Sequence, residues 1–481
     1  MLCGGVDHDP VPIKYCPCKF HNSGGILGNQ PTLTRKDWLD RPNALTKVAG
    51  MMKSKHLLSL CLLTSFLGQA CAQQNQDLIT QLQAIPTPKA AEGDWPLWRG
   101  PNHDGIAQTG QSLPTKLDKS KHLLWQAKIE GKGHGTPIVA GDKVFLLTSN
   151  EKKSRQMAIA LDRKTGKHVW VTEVHNGKLD KKNKKATHAN GSLACDGERV
   201  YCNFVNNGAA YTTALRISDG QVAWQTKLGK YKIHQGYGST PLLYKGFVIV
   251  SADNKLGGVI SALSAKTGAL AWSHNRPRHP NYPSPVIHHL FGKDQLIMTG
   301  CDLVTSLDPN TGKVIWETKG ATTECVTTTP TDGKHIYSSG GYPRNHVSAY
   351  LADGSGKLAW ENTIRVYVPS MIVKGGHLYA VTDGGIAHCW KSDTGDTLWK
   401  GRLGGVFSAS PILLDDRIYA INEYGDLSVF SANTESFELL HQTKLADEAF
   451  ASPVICGNRL YQRVAVMNGS AREEFIYCLG K

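Results

Sequence analysis

The sequence contains no apolar run of 18 residues, so it predicts no membrane-spanning helix. It has no Cys-x-x-Cys-His motif, which excludes covalently attached haem. It also lacks the Gly-x-Ser-x-Gly elbow of serine hydrolases and the His-Glu-x-x-His helix of zinc hydrolases, so neither class of enzyme is indicated. Charged residues make up only 20% of the chain, whereas glycine occurs 49 times. That composition is typical of many short strands joined by tight turns.

Residues 51–72 have the pattern of a secretion signal, although they lie well inside the chain. A basic start with Lys53 and Lys55 is followed by twelve mostly apolar residues from Leu57 to Gly68, and Ala70-Cys71-Ala72 is a small-x-small cleavage site. We therefore interpret 1–50 as an over-extended start or a disordered extension, and we expect export to the periplasm or the medium. A genuine N-terminal extension is one alternative. Lipidation of Cys71, which would give membrane association, is another.

The net charge of +14 is concentrated in part within one insertion. The lysines of that insertion are Lys178, Lys181, Lys182, Lys184 and Lys185. A solvated loop is one interpretation, and an anionic partner such as a membrane surface, a wall polymer or a polysaccharide is the other. No aromatic residues are interleaved with these lysines, so nucleic-acid binding is not indicated.

Seven cysteines follow residue 72, and most of them lie in apolar strand segments. An odd number with irregular spacing does not indicate a disulfide framework. Cysteine in such segments behaves as a small hydrophobic residue. The one pairing to check is Cys456 with Cys478, because both lie in the last repeat.

A phrase with glycine four residues before tryptophan occurs six times, and the Trp-to-Trp steps are 54, 48, 44, 44 and 39 residues. A period in the forties with strand-like flanks is typical of a four-stranded propeller blade. Glycine provides the tight turn between the outer strands, and the indole packs on the turn of the neighbouring blade. The tryptophans predicted in this docking role are Trp125, Trp170, Trp224, Trp272, Trp316, Trp360 and Trp399.

A second marker, Ser or Thr next to Pro, opens the innermost strand of each repeat and occurs eight times if Ser192 is included without its Pro. The seventh unit has lost its glycine and tryptophan, and the eighth ends before a fourth strand. The segment 123–128 supplies the missing strand and closes the ring, which removes open sheet edges. We predict an all-β fold, an eight-bladed β-propeller of four-stranded antiparallel blades over 123–481, with seven blades as the alternative. Residues 73–122 are predicted to pack on the propeller.

The segment from Trp95 to Gly105, which reads WPLWRGPNHDG, resembles the entry motif of bacterial exported PQQ-binding-like β-propeller repeat proteins. The stretches 131–137 and 188–201 are similar to further parts of that family. The resemblance covers about residues 93–481 and implies a quinoprotein-like propeller of eight blades. It does not imply a reaction, because this fold carries several functions.

The resemblance raises pyrroloquinoline quinone (PQQ) with Ca²⁺ as a cofactor. The quinoprotein alcohol dehydrogenases typically use a disulfide of adjacent cysteines, a tryptophan and a catalytic aspartate, and this chain lacks the adjacent cysteines. Most tryptophans are needed for blade docking. Trp95 and Trp98 precede the ring and are expected to cover one face of it. We therefore expect no cofactor, and keep a PQQ-dependent dehydrogenase of alcohols or sugars as the alternative.

Propellers bind ligands at the mouth of the central channel, where the loops into the innermost strands converge. The residues before each Ser/Thr marker are the candidates for that mouth, and no catalytic residue is predicted. The candidate ligand-binding residues are His134, His188, Asn190, His234, Tyr237, Tyr282, Glu324, Arg365 and Tyr367. They suit an anionic or hydroxylated ligand, whereas a solvated polar rim is the structural alternative. A metal site from His134, His188 and His234 is a further alternative.

We therefore expect an exported, monomeric propeller that acts as a binding or scaffold protein, with a protein or anionic polymer as partner.

Overall fold

The computed structural model describes residues 73–481, which form eight antiparallel sheets arranged as the blades of a ring. The predicted signal peptide and the segment 1–50 lie outside these residues. Within the described part, no helix is both long and apolar enough to cross a membrane. The eight-bladed ring is confirmed, and the alternative of seven blades is wrong.

Two helices precede the first strand: α1 includes residues 73–83, and α2 spans Lys119–His122. Strand β1 (Leu123–Ile129) follows α2 directly. The first blade contains β2 (Ile138–Ala140), β3 (Lys143–Asn150), β4 (Arg155–Asp162) and β5 (His168–Asn176). The second contains β6 (Ala194–Cys195), β7 (Arg199–Asn206), β8 (Ala209–Arg216) and β9 (Val222–Lys230). The third contains β10 (Leu242–Tyr244), β11 (Phe247–Ser251), β12 (Gly258–Ser264) and β13 (Leu270–Arg276).

The fourth blade contains β14 (Val286–Leu290), β15 (Lys293–Gly300), β16 (Leu303–Leu307) and β17 (Val314–Lys319). The fifth contains β18 (His335–Gly340), β19 (His346–Leu351) and β20 (Leu358–Asn362). The sixth contains β21 (Ile372–Lys374), β22 (His377–Val381), β23 (Ile386–Lys391) and β24 (Thr397–Arg402). The seventh contains β25 (Ile412–Leu414), β26 (Arg417–Ile421), β27 (Asp426–Ser431) and β28 (Leu439–Lys444). The eighth contains β29 (Val454–Cys456), β30 (Arg459–Asn468) and β31 (Ala471–Gly480).

The eighth blade is completed by the N-terminal strand, as predicted. Strand β1 pairs antiparallel with β31, and Trp125 lies opposite Cys478. The ring is therefore closed by hydrogen bonds between the two ends of the repeat array. Cys456 and Cys478 are both buried and free, so the one disulfide considered from sequence is not formed.

The fifth blade departs from the predicted four strands. Its innermost position holds only an isolated bridge between Thr331 and Ile336. In the first blade three residues separate Pro137 from the turn at Gly141, whereas Thr331 alone separates Pro330 from the Asp332-Gly333 turn. The segment is therefore too short to form a ladder.

Six of the eight blade interfaces contain a tryptophan lying against the glycine turn of the next blade, whereas Trp399, between blades six and seven, donates to the Asn433 carbonyl of a turn without glycine. A Cβ atom added to Gly268 would come 2.5 Å from the Trp224 ring, and Trp224 Nε1 donates to the Ala265 carbonyl at 2.9 Å. Gly268 has a φ of +73°, a conformation in which glycine avoids the strain of a side chain. The same contact joins Trp125 to Gly166, Trp170 to Gly220, Trp272 to Gly312, Trp316 to Gly356 and Trp360 to Gly395.

The interface between blades seven and eight has no such tryptophan. His441 lies at the corresponding place in β28, opposite Val429 as Trp399 lies opposite Cys389, and it is only half-buried, so Leu439 does not take the tryptophan position as the repeat spacing suggested. Leu113 and Leu117 from the N-terminal segment join the buried cluster there instead, and Leu117 is fully buried. His441 Nε2 lies 3.1 Å from the Leu117 carbonyl. The N-terminal segment thus provides the apolar contact that the seventh repeat lacks.

The segment around Trp95 crosses one end of the channel and contacts several blades. Trp95 bridges to Val139 of β2, and Ile106 bridges to Leu413 of β25. Between them Arg99 is 2% exposed and donates to the carbonyls of Pro411 and Met371, both at 2.8 Å. These bonds tie the segment to the sixth and seventh blades.

The surroundings of Arg99 explain why Arg99 and Gly105 occur together in the segment from Trp95 to Gly105. Burial lowers the pKa of Arg99 to about 10, although Asp104 acts in the opposite direction. A Cβ atom on Gly105 would lie 2.2 Å from Arg99 Nη2, so only glycine leaves room for the guanidinium. The Arg-Gly-Pro-Asn-His-Asp-Gly sequence is therefore a compact loop built around one buried cation.

We predict that Gly268→Ala destabilises the protein more than Gly292→Ala. Both glycines have φ near +75°, but no atom lies within 4 Å of a Cβ on Gly292, whereas one on Gly268 would overlap Trp224. Backbone strain alone should cost about 1–2 kcal/mol of the free energy of unfolding. The overlap should add about 1–3 kcal/mol. Urea unfolding followed by tryptophan fluorescence measures both, and equal losses would contradict the docking role.

We further predict that Arg99→Lys lowers the free energy of unfolding by about 3 kcal/mol, because lysine cannot reproduce the fork of hydrogen bonds to buried carbonyls. The control is Arg402→Lys at an exposed position, which should change it by less than about 0.5 kcal/mol. Limited proteolysis should also cleave the segment around Trp95 sooner in the Arg99 variant. Indistinguishable behaviour of the two variants would show that Arg99 does not secure the segment.

Candidate functional site

A cavity of about 440 Å³ lies at the channel mouth, on the side of the ring opposite to the N-terminal segment. Loops that lead into the innermost strands form its wall. Trp98 also lines it, and its Nε1 donates to Thr328 Oγ1 at 2.7 Å. Because Trp98 belongs to the segment that crosses the other end of the channel, the cavity has one open end and one closed end.

Five of the nine predicted mouth residues line this cavity. They are His134, Asn190, Tyr237, Tyr282 and Tyr367. The other four, His188, His234, Glu324 and Arg365, lie behind or beside the wall. The loops before the innermost strands thus bring most of the predicted residues into one region, although not all of them to one surface.

Four of the predicted residues form a hydrogen-bonded cluster in the wall. The Tyr367 hydroxyl donates to Glu324 Oε2 at 3.2 Å, and Glu324 is 4% exposed. His234 Nδ1 lies 3.3 Å from Glu324 Oε1 and 3.1 Å from the Tyr282 hydroxyl. Burial and then the Glu324 carboxylate raise the pKa of Tyr282 and Tyr367, so both phenols are neutral near neutral pH. The cluster fixes two tyrosine rings in the wall.

His134 occupies a different part of the wall, where its ring stacks on Phe450 with centroids 4.2 Å apart and an interplanar angle of 12°. Its Nε2 atom is buried and has no hydrogen-bond partner among the described residues. Burial, followed by the nearby cations Lys132 and Arg463, lowers the pKa of His134 well below its usual 6.5. His134 is therefore a neutral, partly unsatisfied group beside the cavity.

His188 and Arg365 do not reach the cavity. His188 Nε2 lies 2.8 Å from the Asp180 carbonyl, and its Nδ1 lies 3.2 Å from Glu151. Arg365 stacks on the outer face of Tyr367 at 5.0 Å. Within residues 73–481 no group of three His, Cys, Asp or Glu side chains is placed to hold a metal ion. Among the described residues, His134, His188 and His234 are therefore not grouped as metal ligands.

The sequence reasoning missed a ring of hydroxyl groups at the base of the cavity. At six of the eight blade interfaces, the backbone amide of the Ser or Thr that precedes the innermost strand position donates to the hydroxyl oxygen of the equivalent residue in the next blade. In the fifth blade that residue is Thr328, one position before the marker Thr329. These bonds run from Ser192 to Thr240 at 3.1 Å, Thr240 to Ser284 at 2.9 Å, Thr328 to Ser370 at 3.0 Å, Ser370 to Ser410 at 2.9 Å, Ser410 to Ser452 at 2.8 Å and Ser452 to Thr136 at 3.0 Å. The Ser/Thr marker in the sequence was the signal for this ring. It indicates where each innermost strand begins, but it does not show that the hydroxyl faces the channel.

The lysine-rich insertion was recognised in the sequence, but its position at the rim of the cavity was not predicted. We call residues 177–187 the lysine loop. Asn183 in this loop donates its backbone amide to the Gln235 carbonyl at 2.9 Å, and Lys185 Nζ lies 3.1 Å from Glu423 Oε2 of the seventh blade. The Lys185 side chain is 69% exposed, and exposed ion pairs add little stability. The lysine loop therefore forms part of the cavity rim.

The cavity lining can be compared with what PQQ and Ca²⁺ require. Ca²⁺ takes six to eight oxygen ligands, usually including carboxylates. No aspartate or glutamate of the described chain lines the cavity, and Lys185 is the charged residue in its wall. The residues present do not fit a PQQ–Ca²⁺ pair.

Comparison with protein families gives one matching family, described as outer membrane protein assembly factor BamB. It matches residues 103–237, 230–401 and 343–461. Among curated proteins, the chain is 25% identical over 344 residues to the outer membrane protein assembly factor BamB of Yersinia pestis. The alignment covers 68% of this chain and 79% of that protein.

Two solved structures show the same fold. The crystal structure of BamB from Moraxella catarrhalis superposes with a TM-score of 0.53 at 14% identity and covers 74% of this chain and 96% of its own. The quinohemoprotein alcohol dehydrogenase from Comamonas testosteroni superposes with a TM-score of 0.61 at 14% identity, and the superposition covers 84% of each chain. Because the family matches run from residue 103 to residue 461, this chain belongs to the PQQ-like β-propeller repeat family of outer membrane protein assembly factor BamB.

Proposed function

We propose that this protein is an exported propeller that acts as a binding or scaffold protein and takes a ligand, or a segment of a partner, in the cavity at the channel mouth. The cavity with one closed end carries this proposal. Trp98 blocks the end of the channel, so the cavity is a recess rather than a pore. Recesses of a few hundred Å³ lined by aromatic and hydroxyl groups are typical ligand sites.

The family supports a scaffold role. Its description names an assembly factor, and the Yersinia pestis relative bears the same name. For this chain we propose a protein partner, with an anionic polymer at the lysine loop as the other candidate. We propose the periplasm or the medium as its location, membrane association only through a lipid on Cys71, a monomeric state and no binding of nucleic acid.

A PQQ-dependent dehydrogenase is the second candidate, because a quinohemoprotein alcohol dehydrogenase shares the fold. The lining of the cavity argues against it, since Ca²⁺ would have no carboxylate ligand there. We propose that no PQQ–Ca²⁺ cofactor is bound.

We expect calorimetric titration of the full chain with PQQ to show no binding that depends on Ca²⁺. We also expect no reduction of a dye acceptor by alcohols or sugars when both are added. The folded state of the sample is checked by its tryptophan fluorescence. Saturable, Ca²⁺-dependent binding near one equivalent together with dye reduction would replace the scaffold proposal by the dehydrogenase.

The scaffold proposal also predicts that contacts in the cell are made at the mouth. A photo-crosslinking amino acid at Lys184, in the lysine loop, should give a discrete adduct in intact cells. The matched position is Lys164, an exposed lysine in a turn at the opposite end of the blade, which should give none. Equal adducts from both positions, or adducts from Lys164 alone, would contradict a partner site at the mouth.

A further inference from the structure

The hydroxyl ring leaves hydrogen-bond donors unused. A serine or threonine hydroxyl has one proton to donate and two lone pairs. In the ring each accepting oxygen uses a lone pair for the amide of the neighbouring blade, and no acceptor for the hydroxyl proton is found among the described residues. The ring members that line the cavity are Thr136, Ser192, Thr240, Ser284, Ser370, Ser410 and Ser452. The base of the cavity is thus rich in O–H groups that can donate to a ligand.

Two amide side chains in the wall add to this excess. Asn190 Oδ1 accepts from the Thr187 amide at 2.9 Å and from the Thr187 hydroxyl at 2.7 Å. Gln235 Oε1 accepts from Asn183 Nδ2 at 2.6 Å. In both residues the oxygen is used within the protein, and no described partner takes up the NH₂ group. Asn190 and Gln235 therefore also face the ligand as donors.

The charges around the cavity are also suited to a ligand that accepts hydrogen bonds. Three carboxylates close to the wall are already engaged. Glu423 contacts Lys185 and Ser408, Glu324 contacts Tyr367 and His234, and Asp383 accepts from the Tyr367 amide. Cations lie close to the His134 side of the wall and, after burial, contribute to lowering the pKa of that imidazole. A negative group in the cavity would meet no competing carboxylate in the lining.

Another part of the lining is apolar. Trp98, Phe450, Val326 and Val368 line the cavity together with the tyrosine rings. Flat aromatic surfaces stack favourably on aromatic side chains. The site therefore combines an apolar wall with a base made of donors.

We propose that the cavity binds a small aromatic carboxylate, with its ring against the apolar wall and its carboxylate on the hydroxyl ring, without a metal ion. This rests on the proposed function, since it specifies the ligand class of the same cavity. Hydrogen bonds to an ionised acceptor are roughly twice as strong as those to a neutral one. The donors therefore favour an anion over a neutral ligand of the same shape.

The test uses the full chain and a pair of matched probes, naphthalene-2-carboxylate and naphthalene-2-methanol, titrated calorimetrically near neutral pH without divalent metal. We expect the carboxylate to bind saturably at one equivalent. We expect the alcohol to bind at least about tenfold more weakly. Equal or tighter binding of the alcohol would overturn the anion preference and leave the cavity as a ligand site.

Ser192→Ala is the sharpest variant, because the Ser192 hydroxyl has no hydrogen-bond partner among the described residues and its loss leaves no protein group unsatisfied. We expect it to weaken binding of the carboxylate about tenfold and that of the alcohol much less. An unchanged affinity for the carboxylate in a folded Ser192→Ala protein would show that the ring does not hold it.

The variant Lys185→Gln tests whether the positive charge at the cavity rim contributes to binding of the carboxylate. We expect about threefold weaker carboxylate binding and a smaller dependence on salt. Lys184→Gln, which removes the same charge from an exposed neighbour outside the lining, should leave the affinity unchanged. Equal effects of the two variants would assign the result to the general positive charge of the loop. If neither probe binds at about 1 mM, the inference fails, whereas the crosslinking prediction still stands or falls separately.

Discussion

The contact of an indole with a glycine turn is the interaction on which the ring depends. Each blade is a small twisted sheet that cannot bury both faces alone, and the tryptophan on its outer strand covers the turn of the next blade. At Gly268 the ring of Trp224 takes the space that a methyl group would fill. Where the tryptophan is missing, between blades seven and eight, Leu113 and Leu117 from the N-terminal segment take part in the buried interface.

The N-terminal segment turns the axial channel of the ring into a cavity that is closed at one end. A propeller of eight blades has an axial channel, and here Arg99 and Trp98 close one end of it. Arg99 is held by backbone carbonyls of two blades, so the closure is built into the fold rather than added by a separate domain. The opposite mouth then becomes the recess that can take a ligand.

The candidate site follows from the symmetry of the blades. Because each innermost strand begins with Ser or Thr at an equivalent position, the hydroxyls form a ring, and their bonds with neighbouring amides stabilise the interfaces. The same geometry leaves their protons for the cavity. Glu324 holds Tyr367 directly and Tyr282 through His234, and Glu324 itself is buried and does not line the cavity.

The spacing of Gly and Trp determined by itself that the chain forms a propeller, because it is a local pattern, and the missing fourth strand of the last repeat predicted that β1 closes the ring. The choice between seven and eight blades was decided by the structure. The truncated inner strand of the fifth blade is also visible in the short interval after Pro330, once the blades are aligned. The site was only partly predictable. Loops before the inner strands could be placed at the mouth, but whether His188 or Tyr237 turns towards the axis depends on neighbours such as Asp180 and Ser251, which the sequence does not order in space. The pairing of Lys185 with Glu423, 238 residues later, was decided by the tertiary structure alone, because only closure of the ring brings the two loops together.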